Sequence, residues 1–324
     1  MVDRDALWLW LCSADGVGPM TANDLWAKLC ERGLQLEDFH DLGEAEWADE
    51  FDLNARAVKG LAEKKFRMNE IVDLAESLRE GGVHLVPLES PHYPASLKTS
   101  LDRSAPPLLY ALGNVSLLDR SAVAVAGARD ASGRGLLIAH SIGEALAHRG
   151  IVLVSGGARG TDNAAHAGAL RAGGATVFVL SCGILRYRPD RAVGEMADAE
   201  SALYVSELPP TMTWQTGGAM ARNRIVCGLA SAVVIIEAKE SGGTIHAAKT
   251  AFQLSKPLFV VQFDDYDAHS AGNPLLLRQG AQPLKAQCDP TGETWGVDIA
   301  PVAAEIERNV SAEPPVKQTD LFSP

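Results

Sequence analysis

Two patterns of apolar and polar positions divide the chain. From residue 1 to about 80, apolar residues recur at helical spacing: Leu7, Leu9, Trp10 and Leu11, then Leu25, Trp26 and Leu29. This spacing predicts a small helical domain over residues 1–80, closed by Gly81-Gly82. From residue 83 the pattern changes to short apolar runs separated by helical stretches. Val83–Pro87 is expected as an edge strand, and the run ending at Gly113 as another. Ala122–Ala126, Ile151–Val154, Thr176–Leu180, Leu203–Val205, Ala232–Glu237 and Leu258–Val261 read as buried parallel strands. Strands alternating with helices predict an α/β fold, a Rossmann-like doubly wound parallel sheet over residues 83–288, with 83–118 as its leading extension. Beyond Asp289 the pattern fades. Residues 289–324 are expected to be an extension ending in a disordered tail rich in Pro, Ser and charge.

The chemistry gathers where strands end. Ile151–Val154 runs into Ser155-Gly156-Gly157-Ala158-Arg159-Gly160-Thr161-Asp162, and a helix begins near Thr161. Unpaired amides at such a turn, with the helix dipole, form an anion site. Arg159 adds a planar cation suited to phosphate oxygens. Gly127-Ala128-Arg129 follows a second strand and Ser132 opens its helix; Ser241-Gly242-Gly243-Thr244 follows a third. In open parallel sheets ligands collect at the carboxyl ends of strands, so convergence of these loops predicts a phosphate-bearing ligand. None is G-x-G-x-x-G or a Walker loop, which disfavours a dinucleotide cofactor or an ATPase. No cofactor is expected.

Charge is uneven. Residues 1–80 carry a net −9, residues 81–290 a net +1 and residues 291–324 a net −4. An acidic total gives no support for nucleic-acid binding, though a local basic groove suffices for it. Five scattered cysteines without C-x-x-C pairs argue against a disulfide framework or a zinc site. No apolar run is long enough for a membrane span and the start does not read as a signal peptide, so a cytoplasmic location is expected. Asp162 and His166 sit four apart on one helical face. They suggest acid–base chemistry, but loop capping by the Asp and packing of the His are the favoured reading. Gly16-Val17-Gly18-Pro19 is similar to the turn of a helix-hairpin-helix, which touches DNA phosphates through its amides; a turn within a helical bundle is the reading preferred in so acidic a segment.

The ordered set of motifs resembles the DNA-processing protein A (DprA, or Smf) family over roughly residues 84–286. The carrying residues are Gly127-Ala128-Arg129 with Ser132; the Ser155–Asp162 loop with Ala165-His166; Ser206-Glu207; Arg222-Asn223-Arg224; Glu237-Ala238; the Ser241–Thr244 loop; and Gly280-Ala281. The resemblance implies a protein without known catalytic activity that binds and protects single-stranded DNA and loads the RecA recombinase, notably in natural transformation. It implies a binding groove built from Arg129, Ser155, Gly156, Arg159, Arg222 and the loop of Ser241, Gly242, Gly243 and Thr244; the reading of the strand-end loops adds Gly127, Ser132, Gly157, Gly160, Asp162, Asn223 and Arg224 as candidates. The resemblance also implies a homodimer. The chain departs from the family pattern around this groove: Ala219-Met220-Ala221 stands where Phe-Pro is usual before Arg-Asn-Arg, and Arg188 separates Tyr187 from Pro189.

A second class of function competes. The Ser241–Thr244 loop resembles that of the nucleoside-monophosphate phosphoribohydrolases, which predicts a nucleotide sensor or hydrolase, with a place in phage defence as a further alternative. That family needs a glutamate after the threonine, and none stands in Ile245–Lys249. Glu207 and Glu237 remain the candidate carboxylates. Finally, Gln318, Leu321 and Phe322 in the tail are similar to the peptide by which bacterial proteins dock on the DNA polymerase sliding clamp.

Overall fold

The structure is a computed structural model that describes residues 2–311. Residues 4–80 form six helices: α1 (Arg4–Ser13), α2 (Pro19–Arg32), α3 (Leu36–Asp41), α4 (Glu44–Asp49), α5 (Ala55–Phe66) and α6 (Met68–Glu80). Helix α1 is apolar on every side and is buried from Ala6 to Leu11, which makes it the axis around which the others pack. Trp10, Phe39 and Trp47 form an aromatic cluster with ring centroids 5.7 to 5.9 Å apart. Both indole N–H groups are satisfied, Trp10 donating to Leu61 O and Trp47 to Phe39 O. The Gly16–Pro19 turn is pressed under α5: a Cβ at Gly60 would lie 2.2 Å from the Asp15 carbonyl oxygen, and Arg56 pairs with Asp15 beside it.

Ten strands follow among the described residues: β1 (Val83–Pro87), β2 (Leu108–Gly113), β3 (Ala122–Ala126), β4 (Val152–Ser155), β5 (Thr176–Val179), β6 (Ala202–Ser206), β7 (Ala232–Ile235), β8 (Leu258–Gln262), β9 (Gln282–Cys288) and β10 (Trp295–Val297). Their order in the sheet is β1-β2-β6-β5-β4-β3-β7-β8-β9-β10. From β6 to β9 all neighbours are parallel. The edges are antiparallel, β1 and β2 on one side and β10 on the other. The Rossmann-like expectation holds. Strand β3 lies between β4 and β7, so the winding direction reverses there; that is the place where such sheets bind ligands.

Helices α7 (Ala95–Leu101), α8 (Gly133–Ala147), α9 (Thr161–Arg171), α10 (Arg191–Gly194), α11 (Thr216–Ala221), α12 (Asn223–Leu229), α13 (Gly243–Gln253), α14 (Asn273–Arg278) and α15 (Ala300–Ser311) accompany the strands. Alternate residues of each strand feed opposite faces. Val123, Val125, Val234, Phe259 and Val261 pack with α8, α9 and α15. Ala122, Ala124, Val233, Ile235 and Val260 join a second cluster that contains α12 and runs on into the core of α1–α6. Burial on both faces explains why these strands read as unbroken apolar runs.

Residues after Asp289 are more ordered than the fading pattern predicts, since they supply β10 and α15. Strand β9 buries only Leu284 and Ala286, on one face, and Val302 and Ile306 of α15 close the core beneath it. Residues 312–324, with most of the expected tail, lie outside the described residues.

Candidate nucleic-acid interface

Three strand tips meet at the reversal point. The β3 tip carries Gly127–Asp130, the β4 tip Ser155–Gly160 and the β7 tip Lys239–Thr244. With the segment from Trp214 to Asn223 they wall an open cleft of about 420 Å³. Small residues let the tips approach. A Cβ at Gly127 would meet Thr161 Oγ1 at 2.4 Å, and one at Gly160 would meet the Arg129 carbonyl oxygen at 2.5 Å. Gly160 also adopts φ +86°, which disfavours any other residue. Thr161 ties the same two tips by donating its hydroxyl to Ala128 O at 3.1 Å. Across the cleft, Gly242 at φ +112° opens α13, whose first turn has no side-chain cap. Asn223 fixes that loop by donating to Gly243 O at 3.2 Å.

Arg222 forms the cleft's floor. It is 8% exposed, has no ion-pair partner among the described residues, and its Nε lacks a hydrogen-bond partner. Its guanidinium lies flat on Gly156, where a Cβ would come within 1.9 Å of Nη1. Burial pushes its pKa down, the Asp162 carboxylate opposes that, and Arg129 adds to it. Asp162 is buried beside it and accepts the Ala158 amide at 3.2 Å. Burial pushes the Asp162 carboxyl up, while Arg222 and the Ala158 amide pull it down. A buried cation without an ion pair is costly in a finished fold, and it is the state expected of a group that waits for an anion.

Of the residues expected to form the groove, Gly127, Arg129, Ser155, Asp162, Arg222, Asn223, Ser241, Gly242, Gly243 and Thr244 line this cleft. Gly156 lies under Arg222 and makes room for it. Gly157 has φ +64° and meets the Tyr187 hydroxyl on the side of β5. Arg159 is exposed on its loop beyond the cleft lining. Two expectations need correction. Ser132 caps α8 by accepting the Gly135 amide at 3.1 Å, and it gives both its amide and its hydroxyl to buried Glu237. Its hydroxyl is committed to the fold. Arg224 turns away from the cleft into an ion pair with Glu207, and it donates to Ser104 O at 2.7 Å. The same two contacts engage Glu237 and Glu207, and neither carboxylate lines the cleft.

Asp162 and His166 do not form an acid–base pair. His166 is fully buried, stacks on Phe178 at 3.8 Å and shares a 2.6 Å hydrogen bond with Thr176 Oγ1. Burial, helped by Arg222, pushes its pKa down to about 3, so the ring is neutral. Cys227 also faces the cleft, but burial pushes its thiol up to about 12, which leaves it protonated.

The sequence reading missed Trp214 and Lys239. Trp214 is 50% exposed on the cleft wall, beside half-exposed Met220. Lys239 lines the opposite side, 3.7 Å from exposed Asp130. An exposed indole that lines the same cleft as a buried cation can stack on a base while the cation holds a phosphate. Among the described residues no cluster of His, Cys, Asp and Glu is arranged to hold a metal, and no helix is long and apolar enough to cross a membrane.

Comparison with known proteins agrees with this geometry. The family model for DNA recombination-mediator protein A matches residues 84–293. The DNA processing protein DprA of Bacillus subtilis is 30% identical over 209 residues, 64% of this chain and 69% of that protein. The X-ray structure of Streptococcus pneumoniae DprA superposes with a TM-score of 0.63 and 27% identity, covering 81% of this chain and 94% of that one. DNA processing protein A of Helicobacter pylori, a structure described for its single-stranded DNA binding mode, superposes with a TM-score of 0.55 and 27% identity, covering 70% of this chain and 96% of that one. With those tips, that cleft and this match over most of its length, the chain belongs to the DNA recombination-mediator protein A family.

Proposed function

We propose that this chain binds single-stranded DNA in the cleft at the β3, β4 and β7 tips, protects it, and passes it to a RecA-type recombinase. The observation that carries the binding reading is Arg222, a buried guanidinium without an ion pair among the described residues, facing an open cleft. Arg222 and Arg129 hold phosphate, with the first amides of α13 assisting. Trp214 offers its face to a base, which an unpaired strand can present and an intact duplex cannot. None of these contacts reads a base edge, so binding is insensitive to sequence. Delivery to the recombinase and assembly as a homodimer rest on the family resemblance.

Fluorescence anisotropy with a labelled oligothymidylate tests the reading. Micromolar or tighter binding that weakens steeply with salt, prefers single strand to duplex and is lost in Arg222→Glu is the expected result. Tight binding of AMP or ADP-ribose with release of base, and no oligonucleotide binding, would replace it with the nucleotide-enzyme reading. A second assay measures strand exchange by RecA on DNA covered with single-strand binding protein; equal rates with and without this chain remove the loading role. Gln318, Leu321 and Phe322 lie outside the described residues. Their docking on the sliding clamp is tested by a pulldown with Leu321→Ala/Phe322→Ala, and equal capture or none ends that idea.

A further inference from the structure

The order of the strands turns scattered charges into a gradient along the carboxyl edge of the sheet. That order places the tip of β5 next to β4, then β3, β7 and β8. The β5 tip carries exposed Arg186 and Arg188 ahead of Asp190, whose carboxylate accepts the Ala192 amide, and the β4 tip carries exposed Arg159. The β3 and β7 tips are balanced, Arg129 with Asp130 and Lys239 with Glu240. The β8 tip carries exposed Asp264, Asp265 and Asp267, offset only by Arg134, which pairs with the last two. Arg186 and Arg188 meet backbone carbonyls of Thr211, Leu185 and Tyr187, and no carboxylate. The two basic tips and the balanced β3 tip are contiguous. The Tyr187 hydroxyl lies on Gly157, and Gly160 lies on the Ala128 and Arg129 carbonyls.

We infer that a bound single strand leaves the cleft on one side only, over β4 and β5, where Arg159, Arg186 and Arg188 form a second phosphate-contact strip. The inference rests on the reading of the cleft as a DNA site. Three acidic residues turn the polyanion away at β8. Because the strip touches backbone only, it lengthens the footprint and adds no sequence preference.

The test uses the full chain, the double variant Arg186→Gln/Arg188→Gln, and Asp264→Lys. Glutamine retains a donor for the local carbonyls and removes the charge. Each protein is titrated across salt with oligothymidylates of about four and about fifteen nucleotides, the short one filling the cleft alone. The double variant should bind the short oligomer like wild type and the long one about tenfold more weakly, with a salt slope smaller by about 1.4. Asp264→Lys, which lifts part of the barrier at β8, should leave the short oligomer unchanged and tighten the long one. Equal losses of the double variant at the two lengths, no loss at the longer length, or no tightening of the long oligomer in Asp264→Lys would each overturn the proposed path. If wild type binds neither oligomer, the underlying site reading falls instead. Melting curves of the three proteins identify a variant that has lost its fold, and the single variants Arg186→Gln and Arg188→Gln, each expected to lower the long-oligomer salt slope by about 0.7, then carry the test.

Discussion

The helical region and the tips of the sheet both carry arginines, and the two regions treat them oppositely. All five arginines of residues 1–80 meet a carboxylate: Arg4 with Glu89, Arg32 with Glu50, Arg56 with Asp15, Arg67 with Glu70 and Arg79 with Asp3 and Asp5. At the tips, Arg129 and Arg159 are exposed without an ion pair among the described residues, and Arg222 is buried without one. The first region also holds a net −9. Surface ion pairs add little to stability, but they remove a cation from the pool available to a polyanion. What marks the proposed anion site in so acidic a protein is therefore the pairing state of each arginine. The count of basic residues misleads.

Breaking this contrast should hurt most at Arg222. Arg222→Ala should weaken oligothymidylate binding about 30-fold or more, the loss of about 2 kcal/mol or more expected when a desolvated charge is truncated. Anisotropy titration at fixed salt measures it; a loss under threefold would show that the floor of the cleft is not where phosphate sits. Next, Trp214→Ala should cost about tenfold on normal oligomers and almost nothing on abasic ones, because stacking needs a base. Trp214→Phe should recover most of the loss. An equal penalty on abasic DNA would reduce Trp214 to packing.

Arg129→Ala sharpens the contrast further. It should weaken binding several-fold and lower the salt slope by about 0.7, the share of one phosphate contact on a single strand. Beneath the cleft, His166 gives a prediction about stability. Its pKa in the fold is about 3 against an ordinary 6.5, so the unfolded chain takes up the proton first. The stability it confers is present above about 6.5 and drains as the pH falls toward 3. Urea unfolding at several pH values should show a shallower acid limb in His166→Gln, and an unchanged limb would refute the assignment. The smallest effect is expected in the helices: Arg79→Ala should leave oligonucleotide affinity within twofold. A larger loss would mean that the helical region contacts DNA after all.

Much of the fold could be read from pattern. Strands β3, β4, β7 and β8 are buried on both faces, so each appears as an apolar run; β3 and β4 end in Gly127 and Ser155. Strand β9 and helix α15 were not legible, because β9 buries two residues on one face and α15 covers a patch that exists only after the sheet forms. At the site, Arg222 and Arg224 read as a pair of groove residues. They stand two positions apart at the start of α12, and residues so spaced face different sides of a helix. Helical geometry alone would have divided them. Ser132 was misread because its acceptor, Glu237, lies 105 residues away. Trp214 was missed because a single aromatic in an irregular segment has no period to betray it. Its place is set by the stitching of its loop to the β5 tip, where Gly183 N donates to Met212 O at 2.8 Å.

Gly156 and Arg222 touch, yet β7 must complete the far side of β3 before their neighbourhood is whole. A chain still emerging from the ribosome has its β4 loop long before it has the segment that carries the floor. Until α13 is made and docked, such an intermediate owns the glycines without the wall opposite them. On the proposed function, DNA capture is thus a property of the finished molecule, and an immobilised oligonucleotide should retain completed chains and let truncated ones pass.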